Sequence, residues 1–188
     1  MPHILVAEDE GRKALIVDGA VQSVVADDGH RGSGYWAAMI PDTRPRRALI
    51  LGVGAGTVAH LLTRRFGPVP ILGVDNDPEV IGIGRSEFDL TLDNLRIEIG
   101  DAFAYVDRTQ ERFDLILVDL YRGPHPARGM VSAPFIGALR RILLPRGQIV
   151  FNCFTSYLTP ARLGRLQSSF RLTSVVPAGS NRIVFCKT

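Results

Sequence analysis

The stretch Ala48-Leu-Ile-Leu-Gly-Val-Gly-Ala-Gly-Thr57 constrains this chain more than any other. Four apolar residues, Ala48 to Leu51, suit a strand covered on both faces, as in a parallel sheet. Gly52, Gly54 and Gly56 then allow a tight turn and close approach to a ligand with no Cβ in the way. A helix predicted over 57–66 follows, and a helix start offers unpaired N–H groups and partial positive charge. Strand, glycine turn and helix in this order make a nucleotide-binding turn. The spacing restricts the nucleotide. A dinucleotide fingerprint, G-x-G-x-x-G, needs its third glycine where Thr57 stands. The pattern here is G-x-G-x-G.

From Ala48 onward, short apolar runs alternate with helical segments, which predicts a parallel sheet with right-handed crossovers. Strands are expected at 48–51, 69–74, 95–99, 113–118 and 148–153. Helices are expected at 57–66, from Pro78, at 102–107, 133–143 and 160–169. Gly82 and Gly84 weaken the second of these. The pieces 172–176 and 182–187 read as an antiparallel pair that closes the sheet. Upstream, 3–8, 12–18 and 20–26 read as short strands, with a hairpin around Asp18-Gly19. A glycine-rich loop over 28–34 and a short helix over 35–40, ended by Pro41, complete a small N-terminal unit. The expected organisation is an N-terminal β unit, 1–46, before an α/β domain, 47–188, with a seven-stranded, mostly parallel sheet.

Ligands of open parallel sheets bind beyond the carboxyl ends of the strands, so the polar residues at those ends belong together. The second strand ends in Asp75-Asn76-Asp77, where Asp75 can accept hydrogen bonds from both hydroxyls of a ribose. Asp77 is better explained as a helix cap. The third ends before Asp101-Ala102, where a carboxylate can accept the exocyclic amine of adenine or cap the next helix. The fourth ends in Asp119, placed to hold a substrate amine or to act as a base. Tyr121 and His125 in the loop 120–130 are further candidates for proton removal.

Taken together, Leu49 to Thr57, Val74 to Ile81, Ile99 to Ala102, Phe113 to Asp119 and Leu144-Pro-Arg-Gly147 resemble the spermidine synthase-like branch of the class I methyltransferases, which bind S-adenosylmethionine (SAM). The hairpin Leu15 to Gln22 also resembles the one that precedes the catalytic domain of spermidine synthases. The resemblance implies a Rossmann-like class I methyltransferase fold. It implies a SAM-type cofactor, held by Gly52, Gly54, Gly56, Asp75, Asn76, Asp101, Ala102 and Asp119, and a small-molecule acceptor touching Gln22 and Tyr35. A homodimer built through the N-terminal hairpin rests on the same likeness.

Two departures from the family bear on the reaction. Spermidine synthases carry an acid inside the glycine turn, where this chain has Ala55, and that acid disfavours the carboxylate of ordinary SAM. Their strand-four loop also carries a second acid for the diamine, where this chain has Arg122. A guanidinium there repels a diammonium ligand and suits a carboxylate or phosphate, unless it is simply a solvated loop residue. Methyl transfer from SAM is therefore the leading expectation. Aminopropyl transfer from decarboxylated SAM to a polyamine is the alternative, and a non-catalytic binding or dimerisation module is the third.

Composition excludes other classes. No apolar run approaches the roughly 20 residues of a membrane span. Residues 1–10 lack a basic segment before an apolar one, so a cytoplasmic location is expected. The net charge is only +3, and no basic stripe with interleaved aromatics argues for nucleic acid. Cys153 and Cys186 sit in apolar runs and read as buried thiols. His3, His30 and His60 show no metal-ligand spacing, and no metal is expected.

Overall fold

The computed structural model describes residues 3–25 and 34–188. Its centre is β4 (Ala48–Leu51), paired in parallel with β5 (Ile71–Asp75) on one side and β7 (Phe113–Val118) on the other. Beyond β5 lies β6 (Leu95–Ile99). Beyond β7 lie β10 (Leu143–Phe154), then the antiparallel β12 (Asn181–Lys187) and β11 (Arg171–Ala178). The seven-stranded order β11-β12-β10-β7-β4-β5-β6 is the mostly parallel sheet with a C-terminal antiparallel pair that the alternation predicts.

Both faces of β4 are covered. Leu49 and Leu51 pack with Tyr105, Phe135 and Leu139 under α4 (Ala102–Arg108), α5 (Ala133–Ile142) and α6 (Pro160–Ser169). Ala48 and Ile50 pack with Trp36, Val58 and Leu62 under α1 (Gly34–Ala38), α2 (Thr57–Phe66) and α3 (Pro78–Glu87). Successive strand residues point to opposite faces, so a strand with helices on both sides must be apolar throughout. The sequence direction reverses at β4, with β5 on one flank and β7 on the other. Such a switch point opens a crevice at the carboxyl ends of the strands.

The N-terminal sheet, β1 (Ile4–Asp9), β2 (Arg12–Val17) and β3 (Ala20–Val24), is antiparallel and turns at Asp18-Gly19. Several element bounds differ from expectation. Val69 and Pro70 precede β5 rather than open it, α5 stops at Ile142, and α1 is shorter than 35–40. The loop 120–130 contains a small hairpin, β8 (Tyr121–Arg122) with β9 (His125–Pro126). The expected loop 28–34 lies outside the described residues except for Gly34.

The two glycines of α3 differ in kind. A Cβ at Gly84 would lie 2.8 Å from Leu90 Cδ2, whereas nothing lies within 4 Å of one at Gly82. Gly82→Ala is therefore expected to raise stability by about 0.5–1 kcal/mol, through helix propensity and reduced unfolded-state freedom. Urea denaturation checks this: the midpoint should rise with an unchanged slope.

Candidate functional site

Strand register aligns the candidate residues. Leu51 pairs with Val74 and with Val118, so Gly52, Asp75 and Asp119 emerge side by side. The Gly52 N–H donates to Val74 O at 2.9 Å, and the Asp119 N–H to Leu51 O at 2.8 Å. Asp101 follows β6 on one flank, since the Gly100 N–H donates to Asp75 O at 2.8 Å. Phe151 pairs with Val118, which sets Asn152 beside Asp119 on the other flank.

The glycine turn is closed by the protein itself. A Cβ at Gly52 would lie 2.1 Å from the carbonyl oxygen of Asp119, one at Gly54 2.6 Å from Ser23 Oγ, and one at Gly56 2.3 Å from Leu90 Cδ1. Contacts within the chain thus already favour glycine at all three positions. The N–H groups of the turn are also engaged. Val53 and Gly54 donate to Asp75 Oδ2 at 2.8 and 2.9 Å. Ala55 donates to Ser23 Oγ at 2.8 Å and Gly56 to Val53 O at 3.0 Å. Each N–H from residue 52 to 56 thus has a partner within the chain; the expectation of unpaired N–H groups concerns the helix start that follows, from Thr57. Thr57 strengthens the closure, because its hydroxyl accepts from the Val24 N–H at 2.9 Å and donates to Val24 O at 2.7 Å.

Asp75 is therefore a structural acid as well as a candidate ribose ligand. It accepts from Val53, Gly54 and, at 3.0 Å, the Asp77 N–H. A carboxylate has about four acceptor positions, which leaves about one. Burial raises its pKa, and the three backbone donors oppose that rise. Asp77 caps α3 by accepting from the Glu79 and Val80 N–H groups, and Asp101 caps α4 by accepting from the Ala104 N–H at 2.8 Å.

A continuous cleft runs over these residues. Its inner part, about 180 Å³, is bounded by Gln22, Trp36, Asp75, Asp119, Tyr121 and Arg122. Its outer part, about 760 Å³, is bounded by Asp101, Ala102, Phe103, Leu120, His125 and Arg128. Gly52, Asp75, Asn76, Tyr121 and Arg122 border both. The outer volume falls within the range typical of small-ligand sites. A third cavity, about 290 Å³, lies across Gln22, Trp36 and Tyr121 and includes Tyr35, Asn152 and Asn181.

Asp119 is held by side chains rather than by the backbone. Its Oδ1 accepts from Asn152 Nδ2 at 2.8 Å, and the Tyr35 hydroxyl also donates to it. Asn181 Nδ2 in turn donates to Asn152 Oδ1 at 2.7 Å, with both asparagines buried. Burial pushes the Asp119 carboxyl up to about 6 against these two donors, and the nearby charge of Asp75 adds to the rise. Burial also raises Tyr35 well above its ordinary value, and the Asp119 charge adds to that. Tyr121 is raised for the same two reasons, and its hydroxyl donates to Asn152 O at 3.3 Å. At neutral pH both tyrosines are therefore donors, which argues against Tyr121 as a base. His125 borders the outer cavity only, away from Asp119. Gln22 Nε2 donates to Gly123 O at 2.8 Å and ties the β8–β9 hairpin to β3. Arg122 is exposed on that hairpin, and no carboxylate pairs with it among the described residues.

Ser23, Trp36, Asn152 and Asn181 are parts of the site that the sequence reading misses. Asn152 left one signal, a polar residue inside the apolar run Ile149 to Phe154. Ala55, by contrast, does not border the cleft. It is 1% exposed and packs with Leu15, Val17, Val80 and Phe88, so the absence of an acid there does not act directly on a ligand tail.

The fold is that of an α/β protein of the class I methyltransferase type. It superposes on human methyltransferase-like protein 13, solved in complex with SAH, with a TM-score of 0.68 at 23% identity, over 76% of this chain and 71% of that one. It superposes on a probable spermidine synthase from Corynebacterium glutamicum with a TM-score of 0.83 at 20% identity, over 99% of this chain and 77% of that one. The spermine/spermidine synthase domain matches residues 37–167, and the chain belongs to that family. It is 31% identical over 149 residues to the polyamine aminopropyltransferase of Sulfolobus acidocaldarius, which covers 73% of this chain and 49% of that protein. It is 26% identical over 163 residues to polyamine aminopropyltransferase 2 of Hyperthermus butylicus, covering 79% of this chain and 52% of that protein. The chain thus spans about half the length of the curated relatives it matches. These relatives lend no support to methyl transfer, the leading expectation from sequence, and favour the alternative. Among the described residues, no helix is long and apolar enough to cross a membrane.

Proposed function

We propose that the chain forms the nucleoside- and amine-binding core of an aminopropyltransferase that uses decarboxylated SAM. The observation that carries this is the pair Asp75 and Asp119. Both border the inner cavity, both are raised by burial, and the charge of Asp75 is felt at Asp119. Such a pair of acids attracts a cationic ligand. The closed glycine turn supports the same reading, because N–H groups 52–56 have none to spare for an anionic tail. Family membership supports it independently.

When bound, decarboxylated SAM supplies a carbon already activated by its sulfonium. The protein then has mainly to align that carbon with an amine. Phe103 and Leu120 offer apolar surface for adenine in the outer cavity, with Asp101 beside them. Asp75 keeps about one acceptor position for the ribose. Asp119, ionised above its pKa of about 6, holds the acceptor's ammonium and then takes a proton from the amine. The amine nitrogen bonds to the aminopropyl carbon as the carbon–sulfur bond breaks. The thioether leaves with the electron pair, and the amine's proton passes through Asp119 to solvent.

Calorimetric titration tests the reading. Decarboxylated SAM is expected to bind at least about tenfold more tightly than SAM, a difference of about 1.4 kcal/mol. The reverse order would overturn the proposal and restore methyl transfer. That second reading has one observation in its favour: Arg122, at the junction of both cavities, can pair with the carboxylate of ordinary SAM.

A further inference from the structure

We infer that the acceptor is a primary amine that also carries a carboxylate, with its amine at Asp119 and its carboxylate at Arg122; this rests on the aminopropyl reading. Three acids lie near the inner cavity, and they do not have equal capacity. Asp77 is taken up in capping α3, and Asp75 accepts three backbone N–H groups. Asp119 accepts from Asn152 and Tyr35, which leaves about two of its four acceptor positions. One ammonium can be held there. A diamine would bring a second, and the next charged group along the same wall is a guanidinium.

Arg122 is placed by built contacts. The Gln22 amide holds Gly123 O, the Ala127 N–H donates to Leu120 O at 2.9 Å, and Gly123 packs so closely on the β2–β3 turn that a Cβ would lie 3.0 Å from Asp18 Cβ. The hairpin therefore presents Arg122 to both cavities from a backbone tied at three points. The guanidinium has no acidic partner among the described residues. His125 and Arg128, both exposed, stand on the outer cavity's rim, where Asp101 is the facing acid. Arg122 is three positions after Asp119, so their Cα atoms are at most about 11 Å apart. Both side chains border the same inner cavity, so one small ligand can carry an amine to Asp119 and a carboxylate to Arg122. A planar fork of donors suits a carboxylate, and an Arg–carboxylate pair is directional where a lone ammonium contact is not.

The test uses protein saturated with 5′-methylthioadenosine, so that acceptor binding is read without turnover. 4-Aminobutyrate and 1,4-diaminobutane are titrated into the parent chain and into Arg122→Asp. The parent is expected to bind 4-aminobutyrate at least about tenfold more tightly, and Arg122→Asp to reverse the order. Arg122 is exposed, so the variant should fold, which its circular dichroism checks. Preference of the parent for the diamine, binding of neither probe, or an unchanged order in the variant would overturn the assignment. An effect of Arg122→Asp on SAM affinity, with the acceptor order unchanged, would move the carboxylate to the nucleoside's tail and overturn it too. Failure of 5′-methylthioadenosine itself to bind sinks the aminopropyl reading. Its binding together with diamine preference sinks only the acceptor assignment.

Discussion

Asp119→Asn is expected to lower the rate of aminopropyl transfer by about 10²–10⁴-fold and, at pH 7.5, to make the protein more stable. The two effects share a cause. The carboxyl titrates near 3.8 in the unfolded chain and at about 6 in the folded one, chiefly because burial disfavours its charge. Below pH 4 both states hold the proton and the group is neutral to stability. Between pH 4 and 6 the unfolded chain has released its proton while the folded chain retains it, so rising pH favours unfolding. Above pH 6 the whole difference is felt, about two pKa units, or about 3 kcal/mol. An amide removes that dependence and can still accept from Asn152 and Tyr35. In a chain of 188 residues a gain of about 1–3 kcal/mol raises Tm by about 2–12 °C. Thermal melts at pH 7.5 and 4.5 check it. The variant should exceed the parent at the higher pH, and the gap should narrow at the lower one. A lower Tm at pH 7.5, or an unchanged transfer rate, would contradict it. For the parent, kcat/KM should fall as pH drops through about 6, where Asp119 loses its charge.

The sequence makes the sheet and its strand-end acids legible for a physical reason. Each central strand is an apolar run stopped abruptly by glycine or aspartate, and a doubly covered strand can end only where the helices stop covering it. Asp75, Asp101 and Asp119 are found that way, and the structure brings all three to one cleft. The roles of the glycines are not legible. What a Cβ at Gly54 would strike is Ser23 on β3, and at Gly52 the carbonyl of Asp119; both are tertiary contacts with no local signature. Ala55 misleads for a related reason. Its neighbours Gly54 and Gly56 suggest a residue facing a ligand, yet its methyl turns toward Leu15 and Val17 of β2. Asn152 and Asn181 acquire meaning only from the antiparallel pairing of β10 with β12, which joins two polar residues that look unrelated along the chain. The β8–β9 hairpin, two residues per strand, is too short to show alternation.

Gly52→Ala is expected to be the most damaging single-methyl change in the chain, with a loss of at least about 3 kcal/mol. Two terms add. The residue sits at φ 87°, where a side chain is strained by about 1–2 kcal/mol. The new Cβ would also lie 2.1 Å from the Asp119 carbonyl oxygen and 2.9 Å from its carbonyl carbon. Those atoms are backbone, so no rotamer change relieves the overlap. Relief requires β4 and β7 to part where the Asp119 N–H donates to Leu51 O at 2.8 Å, which would also displace the acid the proposed reaction depends on. Gly67 separates the two terms. Its φ is 78° and its ψ −167°, a region almost reserved for glycine, but nothing lies within 4 Å of a Cβ there, so Gly67→Ala should show backbone strain with no packing overlap. Urea denaturation of both variants beside the parent gives the comparison. Gly52→Ala should lose at least about 2 kcal/mol more than Gly67→Ala, or fail to accumulate as folded protein. Equal losses would mean that β4 and β7 yield easily at their ends, and that the close packing of turn on strand does not require glycine there.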